Sequence, residues 1–287
     1  MKIIKIIKKY IPENIKYEIK YLFKYKKILS FLKYNSQYHE EYLYLKKNKF
    51  NVFPYEFTKR YSWKSISIQK DENNRFFYLY KGKKMYFKKS MKKEEIMKYV
   101  NSILLEQDEH SPHNYNLDVV KNNKNIKVIA DIGAAEGFLT LELIDKIDKA
   151  YLFECDTEWG EALQQTFKNY KDKVEIVNKF LGKDNNNETI TLDMFFQNKK
   201  IDFIKADIEG SEIDMCLGGE KTFQKLYNIA ICTYHKHNDA EILKKILLNF
   251  KFKVRFTKGY MIFLYDNNLK KPYLRHGVIL GYKDIIL

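Results

Sequence analysis

The stretch VIADIGAAEGFLTLELIDKI, residues 128–147, joins a short apolar run to two glycines and an amphipathic run. The apolar run ends on Asp131, Gly133 and Gly137 follow it, and the amphipathic run opens on Glu136. This order predicts a strand, a tight loop and a helix. In doubly wound sheets the ligand lies beyond the carboxyl ends of the strands, where the first loop meets its helix. The glycines predict that the backbone approaches a small ligand here without an intervening Cβ.

Two acidic residues narrow the class of ligand. The glycine spacing is G-x-x-x-G, which does not match the G-x-G-x-x-G fingerprint of dinucleotide sites. Asp131, at the predicted strand end, would repel a pyrophosphate but suits the ammonium group of a cationic ligand such as S-adenosylmethionine (SAM). Glu154 ends the next predicted strand, where its carboxylate is placed to accept hydrogen bonds from two ribose hydroxyls. A phosphate-binding or ligand-free α/β domain stays open as the alternative.

Predicted strands and helices alternate from residue 126 onward. Helical patterns lie between the first five strand candidates and after the fifth, which predicts an α/β fold with a doubly wound, mostly parallel, seven-stranded sheet. The segment TKG alone separates the last two candidates, so they are predicted to form a terminal antiparallel hairpin. This is the Rossmann-like arrangement of the class I SAM methyltransferases. The candidates are IKVIAD (126–131), AYLFEC (150–155), KVEIV (173–177), IDFIKAD (201–207), NIAICTY (228–234), FKVRF (252–256) and YMIFLY (260–265).

The region before this sheet is predicted to divide in two. Residues 1–49 form a basic helical segment, because apolar side chains recur at helical spacing, with a break at Pro12. We interpret it as an appendage with a solvated lysine face; a homodimer interface or a helix resting on an anionic membrane surface stays open. Residues 50–91 form a small antiparallel β appendage with a hairpin turn at Lys81-Gly82-Lys83. Residues 92–287 are predicted to form a SAM-dependent methyltransferase domain, which the order of strands and helices implies.

The charged residues and cysteines of the chain indicate which partners and which cellular location to expect. The net charge is +15, but only four of the 52 basic residues are arginine, the side chain best suited to phosphate and base contacts. Nucleic acid is therefore not the expected partner. The three cysteines are far apart in the sequence and show no metal-ligand spacing, which favours a reducing setting. Lysines interrupt every apolar run near the N-terminus, so we expect a cytoplasmic protein, in contact with the inner face of the membrane if the N-terminal helices bind lipid.

Several segments resemble the FkbM-type SAM-dependent methyltransferases. They are DIGAAEGFLTL, YLFECD, ITLDMF (190–195), YHKHND (234–239) and above all IDFIKADIEGSE (201–212), which carries the D-V/I-E-G-x-E motif of that family. The resemblance covers roughly residues 100–265, and Ala135 stands where SAM loops often have a glycine. It implies O-methyl transfer from SAM, with S-adenosylhomocysteine as product, to a sugar, glycan, glycolipid or polyketide hydroxyl.

The predicted chemistry centres on the ends of the fourth and fifth strands. Asp207 and Glu209 follow the fourth strand and His235 follows the fifth, so the three are expected to converge over the methyl group. In one hypothesis His235 is the general base, and Asp207 or Glu209 orients it or the acceptor. In the other, Asp207 and His235 bind a divalent cation, Mg²⁺, that acidifies the hydroxyl. His113, in the polar run LEQDEHSPHNY (105–115), is expected to border the active site.

Further residues are predicted around the cofactor, each with a structural alternative. Besides Asp131, Glu154 and Asp207, the expected cofactor contacts are Gly133, Ala135, Glu136, Gly137, Cys155, Asn178, Lys179 and Phe180. Glu209 and Glu212 could instead cap the following helix. Lys205 is expected to pair with Asp193 as a structural ion pair.

Three functions are compared. The leading one is O-methylation of a sugar, either nucleotide-activated or within a bacterial surface glycan such as a capsule or lipooligosaccharide. An RNA methyltransferase fits the lysine excess, but the N/D-P-P-Y/F segment common in base-directed amino methylases is missing after the fourth strand. A non-catalytic scaffold whose basic helices bind a membrane or partner is the third, and the intact acidic motifs argue against it.

Overall fold

The computed structural model describes residues 13–284, apart from the side chains of residues 13–20 and of Val119. Within that range the chain forms two compact units. The helical unit comprises the described residues up to 58 together with 260–275, and the sheet unit comprises 59–259 and the segment from 276 onward. In the described part of the chain, no helix is long and apolar enough to cross a membrane.

The helical unit is built from helices α1 (Glu13–Lys33) and α2 (His39–Lys47), as the sequence predicts from residue 13 onward. The break at Pro12 and the helical pattern before it lie outside the described residues. Residues 260–275 complete the unit: Ile262 and Leu264 are buried against Ile28 and Leu32 of α1. The domain boundaries therefore differ from those expected, because this later segment joins the N-terminal helices.

A three-stranded antiparallel sheet of β1 (Ile68–Lys70), β2 (Phe76–Tyr80) and β3 (Lys83–Tyr86) lies within the sheet unit. The predicted hairpin turn is present: Lys81 and Gly82 both have positive φ, which suits a two-residue turn between twisted strands. Ile68 and Met85 belong to the same buried cluster as Ile129 of the large sheet. Instead of standing apart, this small sheet packs into the core of the sheet unit.

The large sheet has seven strands in the order β11-β12-β10-β9-β4-β5-β6, and the predicted α/β class is confirmed. Five strands, β4, β5, β6, β9 and β10, run parallel to one another. Strand β12 is antiparallel to both β10 and β11. A separate ladder pairs β7 with β8. The remaining strands are β4 (Val128–Ile132), β5 (Lys149–Phe153), β6 (Val174–Val177), β7 (Phe180–Leu181), β8 (Thr189–Ile190), β9 (Phe203–Ala206), β10 (Asn228–Cys232), β11 (Lys253–Phe256) and β12 (Val278–Tyr282).

The prediction for the seventh strand was wrong. The expected segment YMIFLY (260–265) lies in the helical unit, and β12 takes its place in the sheet between β10 and β11. An apolar run of this length is consistent with a strand or with another buried segment, and the pattern alone does not separate them. The antiparallel pairing of the last two strands is present, but 21 residues, 257–277, connect them instead of TKG.

Alternate residues of the central strands enter two hydrophobic cores, one on each face of the sheet. Ile129 and Phe203 lie in the first core, and Ala130 and Ile204 in the second. The first core also takes side chains from α3 (Lys93–Glu106), α4 (Leu117–Asn122), α5 (Phe138–Leu143) and α6 (Thr157–Thr166). The second takes them from α7 (Leu192–Phe195), α8 (Glu212–Leu217), α9 (Glu220–Lys225) and α10 (Asp239–Asn249). This layering brings the carboxyl ends of β4, β9 and β10 together.

Candidate active site

The loop after β4 is held by close packing against its own protein. Gly133 and Gly137 both have positive φ. A Cβ on Gly133 would lie 1.9 Å from the backbone oxygen of Asp207, and one on Gly137 would lie within 2.8 Å of the Leu163 and Phe167 side chains. The expectation that these glycines open space for a ligand is therefore corrected: the side-chain position of each faces protein atoms, and the glycines let the loop pack on β9 and α6.

Asp131 does not present an uncompensated charge to a ligand. It lies opposite Lys205 in the register of β4 and β9, and its Oδ1 is 3.1 Å from the Lys205 ammonium. Its Oδ2 accepts a hydrogen bond from Thr140, and only 1% of the residue is exposed. Lys205 also donates to the Gly133 carbonyl at 2.6 Å. The ion pair thus ties the loop to the sheet, and the notion that a free Asp131 charge attracts the methyl donor needs correction.

The expected pairing of Lys205 with Asp193 was wrong. Asp193 lies in α7, on the other face of the sheet, and accepts hydrogen bonds from the backbone N–H groups of Lys221 and Thr222. Side chains of adjacent residues in a strand point to opposite faces, so Lys205, between Ile204 and Ala206 of the second core, points into the first. Burial by itself would lower the pKa of Lys205, but the charges of Asp131 and Asp207 raise it well above its ordinary value.

Glu154 lies just beyond β5 and binds the same loop. Its Oε2 accepts a hydrogen bond from the Ala135 N–H at 2.9 Å, and its Oε1 accepts one from the Asp156 N–H at 2.8 Å. Each carboxylate oxygen can accept a further hydrogen bond, so binding of ribose hydroxyls is compatible with these contacts and stays a prediction. Ala135 adopts a positive φ of 45°, a left-handed conformation that disfavours residues with a Cβ.

Asp207 is the centre of the site. The Tyr115 hydroxyl donates to its Oδ2 at 2.9 Å and the Tyr234 hydroxyl to its Oδ1 at 3.1 Å. His113 Nε2 lies 3.5 Å from Oδ2, and His235 Nε2 lies 3.4 Å from Oδ1. Burial by itself would raise the pKa of Asp207, but the contacts with His113, Lys205 and His235 hold it well below its usual range. This carboxylate therefore stays ionised, and it is a poor proton acceptor.

His235 lies between carboxylates from the turn after β9. Its Nδ1 is 2.9 Å from Glu212 Oε1, and its Nε2 faces Asp207 and, at 3.6 Å, Glu209 Oε2. Burial by itself would lower the pKa of His235, but the contact with Glu212 and the charges of Glu212, Asp207 and Glu209 raise it above 6.5. The approach of the Glu212 carboxylate to Nδ1 is the contact by which an orienting partner holds a general-base histidine.

The two glutamates of the motif have different surroundings. The Glu212 side chain is buried, and its Oε1 accepts a hydrogen bond from the Ile208 N–H at 2.8 Å, so it closes the turn in front of α8 as well as contacting His235. The Glu209 side chain is 93% exposed, and its residue adopts a positive φ of 54°. Orientation of His235 was expected from Asp207 or Glu209; in this arrangement the buried Glu212 holds Nδ1, a contact that sequence reasoning missed.

His113 reaches the site from the polar segment after α3. Its Nε2 lies 3.1 Å from the Tyr234 hydroxyl and 3.7 Å from the Cys232 thiol. Burial by itself would lower the pKa of His113, but the charges of Glu106 and Asp207 raise it. The ring is almost fully buried, so it supports Asp207 and Tyr234 from within the core. Tyr115 and Tyr234 were not predicted as Asp207 ligands, and no local pattern in the sequence indicates where their hydroxyls point.

A cavity of about 210 Å³ opens beside these groups. Glu106 and Glu136 line it in addition to Asp131, Asp207 and Glu209, and Lys205 is its one lysine among the described lining residues. Burial raises the pKa of Glu136 to about 7, although Tyr99 donates a hydrogen bond to it at 2.7 Å. Burial also raises the pKa of Glu106, a residue that sequence reasoning did not single out. The cavity walls are acidic because five carboxyl residues line them against that one lysine.

The sequence matches the methyltransferase FkbM domain over residues 109–254, just over half of the chain. The chain belongs to the FkbM methyltransferase family. It is a SAM-dependent methyltransferase, and the resemblance of its DIEGSE segment to that family is confirmed. A comparison with curated proteins gave no match.

Solved structures of other methyltransferases are similar to this FkbM methyltransferase. A precorrin-6y C5,15-methyltransferase from Geobacter metallireducens is 11% identical, with a TM-score of 0.41 over 70% of this chain and 94% of that one. A putative RNA methyltransferase from Pyrococcus horikoshii is 17% identical, with a TM-score of 0.38 over 64% and 82%. TrmK from M. capricolum, in complex with S-adenosyl-homocysteine, is 15% identical, with a TM-score of 0.38 over 60% and 70%. Similarity at this level says nothing about the acceptor.

Several of the residues predicted to contact SAM lie at the cavity, and their contacts with SAM stay a prediction. Gly133, Ala135 and Glu136 line it, and the Glu154 carboxylate contacts the Ala135 N–H. These groups, with Asp207, would hold the cofactor, and the buried carboxylates Glu106 and Glu136 join them as candidates for its ammonium group. The predicted adenine-side residues Asn178, Lys179 and Phe180 follow β6, and the Phe180 ring is 57% exposed. Cys155 follows Glu154, and burial raises the pKa of its thiol to about 11.

The donors around Asp207 do not fit the Mg²⁺ site that the sequence leaves open. Asp207, Glu212 and His235 offer ligand atoms within 4.8 Å of one another, as do His113, Asp207 and Cys232. However, both Asp207 oxygens already accept tyrosine hydroxyls, and each nitrogen of His235 faces a carboxylate. Burial raises the pKa of Cys232 well above its usual value, so its thiol stays protonated. Mg²⁺ prefers an octahedral shell of oxygen ligands, whereas both groups include a histidine nitrogen and one includes a thiol.

Proposed function

We propose that this enzyme transfers the methyl group of SAM to a hydroxyl of a sugar by general-base catalysis without a metal. The observation that carries the proposal is the contact between Glu212 and His235 Nδ1. The other ring nitrogen of His235, Nε2, lies beside the ionised Asp207 and the exposed Glu209. A base at this position serves a hydroxyl nucleophile, which must lose a proton as it attacks. Transfer to an already nucleophilic nitrogen or sulfur has less need of such a base.

The protein's part in the reaction is alignment and proton removal. Bound SAM supplies an electrophilic methyl group. In the proposed step, the sugar oxygen forms a bond to the methyl carbon as the carbon–sulfur bond breaks, and the hydroxyl proton passes to His235 Nε2. Glu212 and Asp207 stabilise the resulting imidazolium, and the hydroxyls of Tyr115 and Tyr234 hold Asp207 in place. General-base assistance of this kind typically contributes about 10²–10⁴-fold to the rate.

The acidity of the cavity supports an acceptor without phosphate near the reacting hydroxyl. A second cavity of about 140 Å³ shares Gln107 and Phe138 with the first. Its other lining residues are Tyr80, Glu109, Asn114, Asn116, Leu117, Asp118, Lys121 and Glu142. Carboxylate and amide oxygens accept hydrogen bonds from sugar hydroxyls, and the aromatic rings offer apolar contact to a sugar face. We propose this second cavity as the acceptor side.

The same acidity weighs against RNA as the acceptor. Carboxylates repel the phosphodiester backbone, whose attraction to basic side chains dominates the affinity of nucleic-acid-binding proteins. Arg60 pairs at 2.8 Å with Asp108, which lies between the lining residues Gln107 and Glu109 in the sequence. For a nucleotide-activated sugar, we propose that the sugar ring enters the cavity and the phosphates stay outside it.

The test is transfer of a labelled methyl group from SAM to three acceptor sets: neutral oligosaccharides, nucleotide sugars and total RNA. Label is expected in a sugar, as an O-methyl ether identified by mass spectrometry and NMR. The same assay in chelator is expected to keep full activity. RNA as the preferred acceptor would overturn the sugar proposal, and loss of activity in chelator that returns with Mg²⁺ or Mn²⁺ would overturn the metal-free mechanism.

A further inference from the structure

One face of α1 in the helical unit exposes apolar and basic side chains together. The Phe23 ring is 71% exposed and Leu22 is 56% exposed, and Lys26, Lys27 and Lys33 are exposed as well. Positions three and four apart share a helix face, so these residues form a single stripe. Tyr34 continues the stripe just past the helix end and is 77% exposed. We call this stripe, Leu22, Phe23, Lys26, Lys27, Lys33 and Tyr34, the basic aromatic face.

The other face of the same helix is already covered within its unit. Ile28 and Leu32 are almost fully buried, together with Ile262, Leu264 and Leu274. The exposed side chains are therefore not simply the core-facing stripe of a loosely packed helix. An exposed phenylalanine and leucine among lysines combine an apolar surface with positive charge on one face, which is the composition of helices that lie in the interface of a bilayer.

From this combination we infer that the basic aromatic face docks on the surface of an anionic phospholipid bilayer. The first fifty residues carry thirteen lysines and four glutamates, so the segment around this face is strongly basic. Each lysine near an anionic leaflet contributes about 1 kcal/mol. The chains of Leu22 and Phe23 enter the boundary between headgroups and acyl chains, and the long lysine side chains reach up to the phosphates. Tyr34 lies at the headgroup level, where tyrosine is enriched.

A nucleic acid is the other polyanion that could bind lysines, and the face fits it less well. The first arginine of the chain is Arg60, so residues 1–59 hold none of the side chains that bind phosphates in a bidentate manner. Apolar contact from Leu22 and Phe23 contributes little to binding of a phosphate backbone, but it contributes directly to binding of a bilayer. The inference concerns location alone and does not depend on the proposed acceptor.

Vesicle flotation of the full-length protein tests this inference. The protein is expected to float with vesicles of phosphatidylcholine and phosphatidylglycerol and to stay unbound with phosphatidylcholine alone. Lys26→Gln with Lys27→Gln is expected to weaken partitioning roughly 30-fold, because two lysine contributions are lost. Leu22→Ser with Phe23→Ser is expected to weaken it roughly tenfold or more. Raised salt is expected to release the wild-type protein.

Matched variants elsewhere control for net charge and general hydrophobicity. Lys168→Gln with Lys171→Gln removes the same charge from exposed positions of the sheet unit, and Ile242→Ser with Leu248→Ser removes exposed apolar side chains from α10. Both are expected to float like the wild type. Equal binding to neutral vesicles, or equal loss in the control variants, would overturn the inference. A solution dimer that dissociates in the Leu22→Ser/Phe23→Ser variant, or tight salt-sensitive RNA binding without flotation, would also overturn it by assigning the face another occupant.

Discussion

The basic aromatic face and the cavity beside Asp207 carry opposite charge in one chain whose net charge is +15. At the face, lysines are exposed to solvent and lie next to Leu22 and Phe23. In the cavity, carboxylates dominate, and the lining Lys205 is committed to Asp131. The contrast teaches that total charge describes the outer surface of this protein and does not describe the chemistry of its site.

The two regions also differ in how far their charges are constrained. Exposed lysines keep mobile side chains and are screened by salt, so they suit a diffuse anionic surface without a fixed geometry. Around Asp207, four side chains from two segments, one before β4 and one after β10, approach one carboxylate within 3.5 Å. Such a network fixes orientation and protonation state because the groups are largely removed from solvent. Variants in one region should therefore leave the other region's function unchanged, and that independence can be tested.

The largest effect is expected for His235→Ala, which removes the proposed base. We expect kcat to fall by about 10²–10⁴-fold, because proton removal from the hydroxyl loses its acceptor. His237→Ala, two residues further along the chain, is the matched control and is expected to keep near-normal turnover. Flotation with anionic vesicles should be the same for both variants and the wild type. Near-normal turnover of His235→Ala would show that the base lies elsewhere.

A large effect on stability is expected for Lys205→Met. This change leaves the buried Asp131 without its cation, and breaking a buried pair in this way costs about 3–5 kcal/mol in the free energy of unfolding. The measurement is the midpoint of urea unfolding. Adding Asp131→Asn removes the orphaned charge and is expected to restore part of the loss. Lys253→Met, which removes an exposed pair with Asp284, should leave the midpoint nearly unchanged. An unchanged midpoint for Lys205→Met would contradict the anchoring role of the pair.

This ion pair illustrates what the sequence could and could not predict. Apolar runs that alternate with helical patterns located six of the seven strands of the sheet, and the DIEGSE segment located the turn that carries the proposed chemistry. The partner of Lys205 depends on which residue of β4 stands opposite it, and register is a property of the assembled sheet. The run 260–265 was misassigned because its burial in the helical unit has the same apolar signature as a strand.

The side chains around Asp207 were predictable to different degrees for a related reason. Asp207, Glu209 and His235 follow strands directly, so the topology alone brings them together. Tyr115 reaches Asp207 from a segment that precedes the sheet by more than ten residues, and no local pattern indicates the direction of its hydroxyl. Tyr234, in contrast, follows β10 closely and precedes His235, and its contact with Asp207 was missed because the direction of its hydroxyl depends on the assembled site.

A smaller and more specific effect is expected for Glu212→Gln. The amide keeps an oxygen for the Ile208 N–H but loses the charge that faces His235 Nδ1, so we expect kcat to fall by less than the roughly 10²–10⁴-fold expected when the base itself is removed. The contact with Glu212 is the main interaction that raises the pKa of His235 above 6.5 against the opposing effect of burial. Because His235 must be neutral to accept a proton, wild-type activity should rise with pH through that raised pKa.

Removing the Glu212 charge lowers the pKa of His235, so the acid limb of the kcat profile should move to lower pH in Glu212→Gln even as the plateau falls. The profile of kcat against pH measures both quantities in one experiment. Glu209→Gln is the matched control. The Glu209 carboxylate faces the other ring nitrogen, Nε2, but its side chain is 93% exposed, so solvent screens its charge and the acid limb should move less. A lower plateau with an unmoved limb would mean that Glu212 only closes the turn at Ile208. A limb that moves with Glu209→Gln as far as with Glu212→Gln would mean that burial does not set the strength of these contacts.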